Sequence, residues 1–236
     1  MTGTIINVIT VVVGGLLGLL FGTKLPDRFR SAVLSMLGLF TMALGMQMFL
    51  ETNNALIVLA ALLVGTLLGE WWHIEAGLSR FGERLKARFS RVSGSQDLTR
   101  FVEGFLTASI LFCVGPMAIL GSIQDGLSGD YSLLATKAVM DGFAALAFAS
   151  TMGAGVIFSS LVVLAFQGGI SLLAVQVQSM ITEAMIAEMS AAGGVILIGI
   201  ALSNILAIRK IRTGNALPAL FLAPLFAALL AWLGAA

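Results

Sequence analysis

The chain has 236 residues, 58% hydrophobic and 11% charged, with a mean hydropathy of +1.03. Soluble domains carry roughly 25% charged residues, so lipid must be the solvent for much of this chain. The net charge of +1 argues against nucleic acid as a partner, the single cysteine (Cys113) rules out an intrachain disulfide, and the single histidine (His73) argues against a histidine-based metal site.

The first apolar run, Gly3 to Gly22, has no basic leader and no cleavage signature, so it reads as a membrane span. A membrane helix needs about 20 mostly apolar residues. Eight segments qualify, at about 3–22, 31–50, 55–72, 101–122, 133–150, 152–174, 192–208 and 216–235. The fifth and sixth share one apolar tract, which the sequence Thr151-Met152-Gly153-Ala154-Gly155 divides at a tight glycine turn. Between spans three and four, Leu78, Phe81, Leu85 and Phe89 recur near helical spacing among basic residues, which predicts an amphipathic surface helix over about 75–91. The stretch 179–192 reads as a milder amphipathic segment.

Basic residues set the topology. Lys24, Arg28 and Arg30 lie in one loop, Arg80, Arg84, Lys86, Arg88, Arg91 and Arg100 in a second, and Arg209, Lys210 and Arg212 in a third. Only Lys137 lies elsewhere. Eight spans put all three loops on the cytoplasmic side and both termini outside, whereas seven would split them.

The chain is also self-similar. "NALIVLAALLVGTLLGEW" (54–71) answers "NALPALFLAPLFAALLAW" (215–232), and "EGFLTASILFCVG" (103–115) answers "DGFAALAFASTMG" (141–153). Gly14-Gly15 has a counterpart in Gly168-Gly169. Spans one, two and three then pair with six, seven and eight, and span four with five, each partner crossing in the opposite direction. This predicts an all-α, polytopic membrane domain over 1–236, an inverted repeat with permuted order whose repeat-like parts are 1–74 with 101–122, and 133–236. Inverted repeats with broken helices at their interface are the architecture of secondary transporters.

A charge near the bilayer centre costs roughly 2.5–3.5 kcal/mol on insertion scales, so it persists only with partners or water. Asp141 sits mid-span with Lys137 at i−4 on the same face. One reading is an ion pair that only lets the span insert; the other is that Asp141, with Glu103 from span four, lines a polar pathway for a cation or proton. Glu103 lies near a span end, where pairing with Arg100 would also account for it. Gly115-Pro116 breaks span four, and its neighbours include Thr107, Ser109, Ser122, Gln124 and Asp125 in the same span or at its end. Such a break frees backbone groups that can bind ions. Asp125 also fits a plain turn in "QDGLSGD". Asn7 and Asn204 complete the candidate solute- or ion-binding set; Gln167 and the other buried amides and hydroxyls are explained by hydrogen bonds between helices. Gly14, Gly18 and Gly22, like Gly65 and Gly69, have the spacing of a close helix contact, either internal or at a homodimer seam. No catalytic, metal or cofactor motif occurs, so an enzyme is not expected.

The segments "GTIINVITVVVGGLLG", "GFLTASILFCVGPMAILGSIQDGLSGD", "LLATKAVMDG", "AFASTMGAGVIFSS", "GGVILIGIALSNIL" and "IRKIRTGNALPAL" resemble the YqgA-like bacterial inner-membrane family, a domain of unknown function numbered 554. The resemblance covers nearly the whole chain and is most specific from Gly104 to Ser160. It implies a multi-pass bacterial inner-membrane protein and carries no substrate. Pro116 stands where the resemblance suggests a small residue, which makes Gly115 the more important half of the break. The expected function is secondary transport or channel-like passage of a small solute or ion between spans four and five, which would meet around Gly115 and Gly153. The alternative is a membrane scaffold or sensor whose basic surface helix binds anionic lipid or a cytosolic partner.

Overall fold

A computed structural model describes all residues except 23–25, 78–79, 81–83, 85–97, 114, 207, 209–210 and 234–236. The described residues are helical, without a strand. In chain order the helices are α1 (Thr2–Gly22), α2 (Asp27–Phe49), α3 (Ala55–Trp71), α4 (Leu98–Cys113), α5 (Pro116–Leu127), α6 (Ser132–Met152), α7 (Gly155–Leu172), α8 (Ala174–Met180), α9 (Glu183–Ile200) and α10 (Ala219–Trp232). A π turn (Ala201–Ile205) extends α9, and a 3-10 turn (Thr213–Ala216) precedes α10.

Six segments among the described residues are long and apolar enough to cross a bilayer: Thr2–Gly22, Ser31–Phe49, Ser132–Met152, Gly155–Leu172, Glu183–Ser203 and Thr213–Trp232. The α4–α5 pair, bent by 60°, counts as a seventh if taken as one span, and the 17-residue α3 is shorter. Polarity is inside out relative to a soluble protein. Thr4, Asn7, Ser159 and Gln167 are fully buried, while Phe143, Phe221 and Trp232 are 71%, 75% and 82% exposed. In water those rings would drive aggregation; in lipid they are solvated and the polar groups are the ones that must be enclosed.

Several boundaries differ from the sequence expectation, for local reasons. The seventh span begins at Glu183, not near 192: Thr182 caps it by accepting the Met185 N–H, and Glu183 lies in its first turn, where a carboxylate favours the helix dipole. The expected break at Gly115-Pro116 is present and separates α4 from α5. Pro116 is the first residue of α5, where its missing N–H costs nothing. Gly115 makes the break, with φ 152°, a region favoured by glycine. Gly153, with φ 86°, closes α6 and lets α7 start two residues later, as the glycine turn predicted. Of the expected surface helix 75–91, residues 75–77, 80 and 84 are helical and the rest lie outside the described residues.

Contacts divide the chain into two compact units: Met1–Leu37, Ser79–Cys113 and Met117–Met180 in the first; Gly38–Leu78, Val114–Pro116 and Ile181–Ala236 in the second. The division interleaves the two repeat-like parts.

In the first unit, glycines set close, parallel helix pairs. A Cβ on Gly14, Gly18 or Gly22 would lie 2.1, 2.3 or 2.3 Å from the carbonyl oxygens of Gly142, Leu146 and Ser150, so α1 and α6 run side by side in the same direction. A Cβ on Gly155 would lie 1.9 Å from the Phe101 carbonyl oxygen, and one on Gly126 2.2 Å from that of Ser171, so α4–α5 runs parallel to α7. The Phe101 and Phe158 rings meet at 5.4 Å beside the first of these contacts. α1 is antiparallel to α7, through Gly15 on Ile157 and Thr4 near Gly168. In the second unit, Gly45 meets Gly194 and Gly38 meets Leu206, setting α2 antiparallel to α9. Gly65 meets Ala219 and Gly69 meets Asn215, setting α3 antiparallel to α10. Val58, Ala61, Ala191, Ala192, Ala219 and Ala223 form its small-residue core. The two glycine series read from the sequence are therefore occupied by internal packing. Gly155→Ala is expected to cost about 1–3 kcal/mol by forcing two backbones apart, seen as a lower melting temperature in detergent. Gly169→Ala, where an added Cβ meets nothing within 4 Å, should leave that temperature unchanged.

Candidate functional site

The polar centre of the first unit is built by three spans. α6 presents Lys137 and Asp141 one turn apart, so the ammonium bonds to Asp141 Oδ2. α1 brings Asn7, whose Nδ2 donates to the same Asp141 oxygen at 2.9 Å and to Gln167 Oε1 on α7 at 3.3 Å. Thr10 Oγ1 donates to the Asn7 carbonyl at 2.9 Å, one turn on. The Phe112 ring on α4 lies 5.9 Å from Lys137 Nζ, within reach of a cation–π attraction.

Each orientation fixes the next. The carboxylate can only accept, so Asn7 must turn its N–H2 toward it. Gln167 must then turn its oxygen toward Asn7. Asn7 Oδ1 and Gln167 Nε2 are left buried with no hydrogen-bond partner among the described residues. Such unmade bonds cost about 1–3 kcal/mol each. Asp141 Oδ1 and two of the Lys137 N–H groups are likewise uncommitted in the described contacts. The Lys137 and Asp141 side chains keep only 9% and 8% exposure, so the pair is buried.

Gly121 faces Leu134 and Gly104 faces Met152, so α6 runs antiparallel to α4–α5.

The sequence-derived set is only partly assembled here. Lys137, Asp141 and Asn7 share this region. Glu103 does not join them: its neighbour Gly104 faces Met152, eleven residues from Asp141, or about 16 Å along the helix. It is half-buried on α4. Gln124 is exposed. Asp125 is more than a turn residue: it is buried, with Oδ2 accepting the Gly3 N–H at 3.0 Å and Oδ1 3.1 Å from the Met1 ammonium, where a carboxylate satisfies the first turn of α1. Asn204 falls in the π turn of the second unit, its side chain outside the described residues.

Two residues carry more than the sequence suggested. Gln167 was explained as ordinary interhelical bonding; its signal was an amide with two hydrogen-bonding ends in the apolar run "LAFQGG". Glu188 lies in the mildly amphipathic segment 179–192. It is 1% exposed in α9 of the second unit. Its Oε1 accepts the backbone N–H groups of Asn53 and Asn54 at 2.8 and 3.0 Å, and its Oε2 accepts the Thr52 hydroxyl at 2.5 Å. Beside it, Ser190 donates to Glu51 at 2.7 Å. The turn between α2 and α3 is thus fastened to α9. No group of three or more metal-ligating side chains occurs among the described residues.

A family model described as "Protein of unknown function (DUF554)" matches residues 2–228. The chain belongs to this family. It is 31% identical over 228 residues to the "Uncharacterized membrane protein YdfK" of Bacillus subtilis (strain 168), covering 95% of this chain and 94% of that one. It is 32% identical over 231 residues to the "Uncharacterized protein YqgA" of Escherichia coli (strain K12), covering 98% of each. No solved structure matches. Family membership and the apolar helices together make it a membrane protein.

Proposed function

We propose that this family member is a secondary carrier, or channel-like passage, for a small solute in a bacterial inner membrane, with its site on Asn7, Lys137, Asp141 and Gln167. The observation that carries the reading is the set of uncommitted polar atoms, Asn7 Oδ1 and Gln167 Nε2, at a buried ion pair in a membrane-embedded bundle. An ion pair that served only to insert α6 would need neither amide.

Helix directions support eight crossings. The bent pair follows α7, itself long enough to span, from Phe101 at Gly155 to Gly126 at Ser171. α3 follows α10 through two successive contacts. If both cross, three crossings separate α1 from α6, and the two must be parallel, as they are. Both termini then lie on the periplasmic side, opposite the basic loops. The same directions support an inverted repeat. Exchanging α1 with α7 and α6 with α4 maps one parallel pair onto the other with direction reversed.

The direct Lys137–Asp141 contact is what a non-transporting scaffold would also have. Water access separates the two. In a Cys113→Ser background, Ser109→Cys places one thiol on α4, at a buried hydroxyl with no hydrogen-bond partner among the described residues. A carrier predicts slow reaction with a membrane-impermeant thiol reagent, both in whole cells and in inverted vesicles. A thiol that reacts from neither side, yet reacts after denaturation, would leave only the scaffold.

A further inference from the structure

The loose valences of the site describe what it takes. Resting on the carrier reading, we propose that the solute is a small zwitterion of amino-acid type, its carboxylate received by Lys137 and Gln167 Nε2 and its ammonium by Asp141 Oδ1 and Asn7 Oδ1.

Charge is the first argument. Lys137 and Asp141 neutralise each other in a buried setting, 7% and 6% exposed. An added cation or anion would leave one uncompensated charge there, and a buried charge without a partner costs several kcal/mol. A zwitterion leaves the sum at zero: one ion pair opens and two form. The second argument is the inventory of hydrogen-bonding groups. The donors among them are two Lys137 N–H groups and Gln167 Nε2, at the two ends of the hydrogen-bonded chain. The acceptors, Asp141 Oδ1 and Asn7 Oδ1, lie on the two residues between them. Lone anions match only the donors, and lone cations only the acceptors. The third argument is distance. Lys137 Nζ and Asp141 Oδ2 are in direct contact and both amides lie in the same hydrogen-bonded chain. A solute entering between them must carry its two charges within a carbon or two of each other, as an α-amino acid does.

The test is thermal unfolding of the purified full-length protein with glycine, alanine, acetate, methylammonium or glycine betaine at equal millimolar concentrations. Glycine or alanine should raise the melting temperature. Acetate and methylammonium each supply half of the recognition and should not, and betaine lacks the N–H donors. The Lys137→Met/Asp141→Asn double variant removes both charges together, so it should fold and should lose the shift; Gln167→Leu should weaken it. A shift by acetate or methylammonium as large as that by glycine, a shift retained in the double variant, or no shift with any zwitterion would overturn the proposal. Failure of the carrier reading itself looks different: residue 109 would then react from neither side of the membrane, whichever solute is added.

Discussion

Lys137→Met and Asp141→Asn, made singly, are each expected to destabilise the protein by about 3–5 kcal/mol, and the double variant by far less than their sum. The reason lies in what each single change leaves behind. Without Asp141, the Lys137 ammonium is buried beside Phe112 with only neutral neighbours. Without Lys137, the Asp141 carboxylate retains Asn7 as its one donor. Either way a charge stays in a site closed to all but narrow exposure. Removing both charges leaves a neutral, similarly sized pair that still accepts from Asn7. Melting temperatures of the four proteins in one detergent measure this as a double-mutant cycle. Additive losses would mean that the two residues do not act as a pair.

Glu188→Ala is expected to cost about 3–5 kcal/mol, the largest effect in the second unit. One carboxylate receives three donors from the turn between α2 and α3. Alanine would leave them to compete for water at a membrane boundary and would open a cavity in α9. Glu188→Gln should cost only about 1 kcal/mol. Its carbonyl still accepts from Asn53 and Asn54, and its N–H2 can donate to Thr52 Oγ, which turns to accept. The melting temperatures should therefore fall in the order wild type, Gln, Ala. Equal losses for Gln and Ala would show that the negative charge, rather than the hydrogen-bond geometry, fastens the turn.

Much of this was legible in the sequence, because lipid leaves few choices. Apolar runs of bilayer length have to be helices, and the Lys137–Asp141 spacing places both on one helix face whatever surrounds them. The glycine turn at 153 was legible too, since one apolar tract was twice a span's length. Tertiary register was not. Glu103 and Asp141 looked like one site because both are acids in neighbouring spans. Which acid faces which residue depends on antiparallel packing through Gly104 and Gly121, and no local pattern encodes that. Glu188 was hidden for a related reason: a carboxylate in a weakly amphipathic stretch looks solvated until a turn 134 residues away supplies its donors. The break at Gly115-Pro116 was legible as well, because a proline cannot continue a helix but starts one without cost.

The central claim is that the polar centre around Asp141 is a passage for solute rather than an inert ion pair. Uptake of a mixture of carbon-14-labelled amino acids and organic acids into proteoliposomes tests it most directly, comparing the wild type with the Lys137→Met/Asp141→Asn double variant. Saturable uptake by the wild type that the folded double variant lacks is the predicted result. Equal uptake by the two proteins, or none above empty liposomes for either, would contradict it.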